Sequence, residues 1–454
     1  MKPLLLFAAM FFACAGTLPS DQALASEPDA AAPSLQILWS MPIVADPPDP
    51  TEIGKIFYHH RGEGLVLLAA AATSAMQIAF LTDIFDPKTN HTALLPDVSE
   101  GPAGLENLDL KGAIADPPVA SNAGSAIFGL KESNRTPSAS HLITDGHGGL
   151  WIGGGTNYSM DIGSAVHTDA YLAKLDASGK TLWEHAYHSN AASWIADMAV
   201  MPDGILAVAM GGNQVTPARI VLIAAEDGRL LREFPLGIAK SVAITAASGN
   251  RLIVASIDPS GSGSTYRDDV SVRTMAADGR FGPPTILRPA ISGTLPGAYY
   301  GSLRLSASKA GNTYAISSWE VPFEQNPALL KSAEIASVSP DGKLLWRSPL
   351  ADSFVTNTDR GGATFCSSPA IATLLNDDAL VACALHGQIR LHRFDRQTGT
   401  DKQSRLALPQ CNDDSHPVSL FLLTQQDGTV LIAGSRPPGN VGPGCSWFGR
   451  LTAF

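Results

Sequence analysis

The stretch YLAKLDASGKTLWEHAY, Tyr171 to Tyr187, carries the architecture of this chain in miniature. It holds an apolar run, a polar turn and a second short run that alternates apolar with polar residues, which is the signature of a β-hairpin. The pattern returns as VLIAAEDGRLLREFPL from Val221, more loosely as VRTMAADGRF from Val272, and again as IASVSPDGKLLWRSPL from Ile335. A single hairpin of this kind cannot bury both faces. Recurrence at blade-like spacing therefore predicts an array of them, and the array that fits is a β-propeller.

Each blade needs four strands running from the centre outward. The innermost turns are placed at Arg61–Gly64, Asp145-Gly146, Asp203-Gly204, Ser248–Asn250, Gly311-Asn312, Asp377-Asp378 and Asp427-Gly428. Each is followed by a short apolar run rich in small residues: LVLLAAAA from Leu65, LWIGGG from Leu150, ILAVAM from Ile205, LIVASI from Leu252, TYAISSW from Thr313, ALVACA from Ala379 and TVLIAG from Thr429. These are read as second strands. SLQILWSMP from Ser34 looks like an outermost strand without a partner before it, and SWFGRLTAF from Ser446 looks like a third strand without a successor. The expected fold is all-β: a seven-bladed β-propeller closed by the N-terminal strand, which completes the last blade and removes two exposed edges.

The N-terminus reads as an export signal over residues 1–25: Lys2, an apolar stretch from Leu4 to Gly16, then Ala23-Leu24-Ala25 before Ser26. An acylated Cys14 is the alternative, which the aromatic Phe11 at the usual aliphatic position disfavours. The expected mature chain, 26–454, is one propeller domain, exported to the periplasm or beyond, with no transmembrane segment. Residues 98–138 show no clear hairpin and are expected to be a long insertion or irregular connection, a lid, a partner surface or a degenerate eighth blade. The net charge of -11, without a Lys/Arg cluster, excludes nucleic acid as a partner.

KLDASGKTLW and SPDGKLLW resemble the repeats of secreted bacterial propellers of the pyrroloquinoline-quinone-like and related beta-propeller-repeat groups. The resemblance implies the fold and not a function. Quinoprotein dehydrogenases of that kind carry adjacent cysteines. No two cysteines are adjacent here, so their cofactor is not carried over, and the absence of Cys-x-x-Cys-His argues against covalent haem.

Ligands of propellers gather on the face where outer-to-inner and second-to-third loops meet. His141, His167, Asp169 and His188 map there around the second blade and form the candidate metal set, because neutral imidazoles and a carboxylate suit a transition metal. Scattered surface histidines are the plainer alternative. Asp413, Asp414, His416, His386, Asp359 and Arg360 form a second polar group around the sixth and seventh blades, read either as a binding set or as capped turns. Tyr299, Tyr300, Trp194 and Trp319 offer flat faces for a ligand or simply pack. Of the four cysteines that remain after the signal, the blade map pairs Cys366 with Cys383 and Cys411 with Cys445.

No nucleophile elbow, zinc-protease helix or phosphate loop is present. The functional expectation is a binding or interaction scaffold with a small-molecule or protein ligand on the loop face of the channel. The alternative is a metal-assisted hydrolase or oxidoreductase using the histidine set, with a metal ion as its cofactor.

Overall fold

The computed structural model describes residues 35–42, 64–74, 77–85, 104–109, 135–145, 149–158, 169–176, 181–187, 194–211, 217–260, 267–287, 299–321, 330–350, 355–356, 366, 369–385, 388–407, 419–425, 427–436 and 445–451. The chain divides into Met1–Ala32 and Pro33–Phe454, and every described residue belongs to the second unit.

The described residues form antiparallel strands and no helix. In chain order they are β1 (Leu35–Pro42), β2 (Gly64–Ser74), β3 (Gln77–Phe85), β4 (Gly104–Asp109), β5 (Arg135–Thr144), β6 (Leu150–Tyr158), β7 (Asp169–Leu175), β8 (Thr181–Tyr187), β9 (Trp194–Val200), β10 (Leu206–Gly211), β11 (Ala218–Ile223), β12 (Leu230–Gly237), β13 (Ser241–Ala247) and β14 (Arg251–Ser260). They continue with β15 (Arg267–Met275), β16 (Thr285–Leu287), β17 (Tyr299–Ala307), β18 (Thr313–Val321), β19 (Leu330–Val338), β20 (Leu344–Pro349), β21 (Val355–Thr356), β22 (Ala370–Thr373), β23 (Ala379–Leu385), β24 (Gln388–Phe394), β25 (Asp401–Ala407), β26 (Ser419–Thr424), β27 (Val430–Arg436) and β28 (Cys445–Leu451).

Their sheets run in sequence order: β2-β3-β4, β5-β6-β7-β8, β9-β10-β11-β12, β13-β14-β15-β16, β17-β18-β19-β20 with β21 on β19, and β22-β23-β24-β25. The remaining sheet, β26-β27-β28-β1, takes its outer strand from the other end of the chain, with Trp39 opposite Phe448. Successive four-stranded meanders of this kind are β-propeller architecture.

The LVLL run from Leu65 corrects one expectation. It lies in β2, the first strand of its sheet, and β2 contacts β5 and β26, so it is an innermost strand rather than a second one. Gln77–Phe85 is the second strand there. An alanine-rich run fits either place, because both are crowded by neighbouring sheets. The stretch 98–138 contains β4, which pairs with β3, and the start of β5. GLENLD alternates too weakly to announce a strand by period.

The turns follow from local chemistry. Gly204, Gly311 and Gly428 take φ of 83°, 89° and 86°, the left-handed conformation that lets a tight innermost turn close. Asp377 does the same job at 67°, and its side chain accepts the Lys309 amide of the preceding sheet at 2.8 Å.

The cores lie between sheets. Trp151, Ala170 and Leu172 of the second sheet pack on Ile195, Met198, Leu206 and Val208 of the third. Ala243, Ile253 and Val272 meet Leu303, Ala315 and Trp319 two interfaces further on. Alternation on each strand sends one set of side chains to the preceding sheet and the other to the following one, so middle strands are apolar throughout, as in β10.

Outer strands dock on the next sheet through its outer turn. Trp183 of β8 donates its indole N–H to the Ala225 carbonyl at 3.1 Å, and Trp346 of β20 donates to that of Arg396 at 3.0 Å. Phe234 of β12 and Thr285 of β16 lie against Gly279 and Gly342 in the same way.

Candidate functional site

Three polar side chains stand at matching places on innermost strands. Counting back from the ladder pairs that flank each inner turn, Thr144 with Leu150, Val200 with Leu206 and Ala307 with Thr313, the fourth residues are His141, Asp197 and Arg304. Equal register puts them on one tier. Counted from the pairs that likewise enclose five residues, Ala246 with Leu252, Thr373 with Ala379 and Thr424 with Val430, the matching residues on β13, β22 and β26 are Ala243, Ala370 and Phe421.

Bulges shape the tier. Ser140 is skipped in the β5 ladder and Ala196 in that of β9. A bulged residue leaves its backbone groups outside the ladder. The His141 ring bonds to the backbone of Ala196, which suits a ring N–H donating to the carbonyl that the bulge leaves free. Asp197 reaches one sheet further: it accepts the Met198 amide at 2.9 Å on Oδ1 and the Ile244 amide of β13 at 2.8 Å on Oδ2. Both side chains thus clasp their own sheet to the following one.

The electrostatics follow from burial and from Arg304. Desolvation, reinforced by the Arg304 charge, lowers the His141 pKa to about 4, so the imidazole is neutral at pH 7. Desolvation raises Asp197 to about 6 against the opposing pull of its two amide bonds and of Arg304. Arg304 is exposed and has no hydrogen-bond partner among the described residues. Together they offer a neutral imidazole, a carboxylate that exchanges its proton close to neutrality, and a guanidinium free to take an anion.

Of the expected metal set, His141 lies on this tier and Asp169 is buried at the start of β7 opposite Thr156. His141 pairs with Gly153 on the other side of β6, so one strand and three residues of register separate the two, roughly 10 Å along the strand alone. His167 and His188 lie outside the described residues. Among the described residues no three His, Cys, Asp or Glu side chains gather as a metal site requires.

Asp359, Arg360, His386, Asp413, Asp414 and His416 also lie outside the described residues. Tyr299 and Tyr300 are in β17, opposite Glu320 and Trp319. Trp319 is a core residue, and its indole N–H is buried without a partner among the described residues. Trp194 packs on Gly211, where a Cβ would lie 2.6 Å from its Nε1.

Cys366 and Cys383 form a disulfide with Cα atoms 5.4 Å apart. Cys411, the expected partner of Cys445, lies outside the described residues. Sequence reasoning passed over Asp197 and Arg304. Their signal was present as a single charge inside an apolar inner-strand run, WIADMAV and SLRLSA.

The family described as outer membrane protein assembly factor BamB matches residues 168–433. No curated protein matches the chain. Among solved structures, the chain is similar to the hydrazine synthase of Kuenenia stuttgartiensis, at 12% identity over 82% of this chain and 92% of that one, with a TM-score of 0.49. It is similar to a protein of unknown function from Dyadobacter fermentans, at 12% identity over 87% and 97%, with a TM-score of 0.48. It is also similar to an alpha-L-arabinanase of Penicillium chrysogenum complexed with arabinobiose, at 12% identity over 66% and 89%, with a TM-score of 0.42. Likeness at this level carries no activity across.

Proposed function

We infer that this chain, which belongs to the family described as outer membrane protein assembly factor BamB, is an exported interaction scaffold that serves the assembly of outer membrane proteins. The family match carries the reading, since it spans the sheets from β7 to β27 and so covers most of the described structure.

The scaffold is a seven-bladed propeller closed by its first strand. Two observations support this. Contacts between innermost strands run β2 to β5, β9, β13, β17, β22 and β26, and β26 contacts β2 in turn. β1 supplies the outer strand beside β28. Export is supported by the signal-like residues 1–25 and by the Cys366–Cys383 disulfide, which needs an oxidising compartment. No helix among the described residues is long and apolar enough to cross a membrane. The mature chain 26–454 is one domain, and its partner, a protein or small ligand, docks on the loop face of the channel.

The test is a host strain that lacks the gene. Its content of outer membrane proteins should fall and should return with the full chain but not with a form lacking residues 1–25. Unchanged content in the deletion strain overturns the scaffold reading and turns attention to catalysis.

A further inference from the structure

We propose that the tier of His141, Asp197 and Arg304 is a binding site, within the channel, for a small organic monocarboxylate with an apolar body. The inference rests on the closed-propeller reading, which sets the innermost strands around one channel.

Arg304 carries the anion. It sits mid-strand on β17, which is flanked by β13 and β22; its side chain is exposed, and its charge acts on both His141 and Asp197. Its chain neighbours Leu303 and Leu305 are packed into the core shared with the fourth sheet, which fixes the strand that presents it. A guanidinium held on a rigid strand with no hydrogen-bond partner among the described residues is a preorganised fork for a carboxylate.

The charge count selects a monoanion. His141 is kept neutral by burial, so Arg304 is the single cation of the tier among the described residues. Asp197 lies within reach of the same guanidinium charge and repels any second negative charge on the ligand. The described residues at the other places on the tier are apolar: Ala243 and Ala370 are buried in the cores between sheets, and Phe421 is only partly buried, which leaves a ring for a flat apolar body to lie against.

The probe is para-fluorobenzoate, followed by fluorine NMR on the full mature chain, with para-fluorobenzamide as its neutral counterpart. Saturable binding of the benzoate is expected, weaker by about tenfold or more for the amide and for Arg304→Gln, because each removes the charge-assisted pair. Arg304→Lys keeps the charge without the fork and should weaken binding by about threefold or more. Absence of saturable binding, equal binding of the amide, or binding unchanged in folded Arg304 variants overturns the inference. Ring closure has its own readout, the melting of a chain lacking β1. A closed ring that binds no benzoate overturns only the site. Arg304-dependent binding in a chain whose melting ignores β1 overturns only the closure.

Discussion

The indole of Trp346 lies against Gly399 of the neighbouring sheet, so close that a Cβ on that glycine would sit 2.6 Å from the ring Cδ2. Gly399 also has φ of 69°, so backbone and space both call for glycine there. Trp183 and Gly228 repeat the relation three sheets earlier, where a Cβ on the glycine would sit 2.7 Å from Cζ3. Aromatic outer strands are therefore one of the fastenings between sheets, and the glycines of the Asp-Gly-like turns are their sockets.

Gly399→Ala and Gly228→Ala should each cost roughly 3 kcal/mol, combining left-handed strain with overpacking against the indole. Gly237→Ala is the control. Its φ is 92°, but nothing lies within 4 Å of the added Cβ, so it should cost only the strain, about 1 kcal/mol. Urea unfolding of the three variants measures the difference, and equal losses would show that the socket does not matter.

The two clasps on the tier respond to pH in opposite senses. Asp197 has its pKa raised from 3.8 to about 6, so its contribution is complete below 3.8 and is lost as pH rises through about 6. His141 is lowered from 6.5 to about 4, so its contribution is present above 6.5 and is lost as pH falls through about 4. A tenfold change in proton affinity on folding is worth at most about 1.4 kcal/mol. On acidification from neutrality, His141→Gln should lose less stability than the parent and Asp197→Asn should lose more. Thermal melts across that range check both signs.

Reducing the Cys366–Cys383 bond should lower stability by about 3 kcal/mol, the chain-entropy value for a loop of similar length to its 17-residue separation. Cys366→Ser combined with Cys383→Ser should reproduce the loss and abolish any further effect of reductant. Melting curves that ignore reductant would show that the bond contributes nothing.

Removing residues through Pro42 deletes β1 and strips the outer strand from β28. The exposed edge and the lost packing should lower the melting temperature by about 5 °C or more, given the few degrees that each kcal/mol is worth in a chain of this size. Melting identical to that of the intact chain would remove β1 from the account of closure.

Much of the fold was legible because propeller strands obey short-range rules. The runs from Leu150, Ile205, Leu252, Thr313, Ala379 and Thr429 are the second strands of their sheets, each bounded by a turn whose residues favour tight reversal. The run from Leu65 failed for a physical reason: an Ala/Leu strand without polar alternation reads alike in either inner position. The site was less legible. His141 stood out as a histidine, but nothing in the spacing of WIADMAV or SLRLSA tells that Asp197 and Arg304 share its tier, since more than fifty residues separate each from the next along the chain.

Strands, turns and the all-β architecture are written in the order of the residues, because alternation, glycine placement and small residues act over a few neighbouring positions. Which strands lie innermost, the joining of β1 to β28, and the shared tier of His141, Asp197 and Arg304 belong to the folded chain alone. Those relations depend on ladder register and on bulges at Ser140 and Ala196, which shift by single residues and leave no periodic mark in the chain.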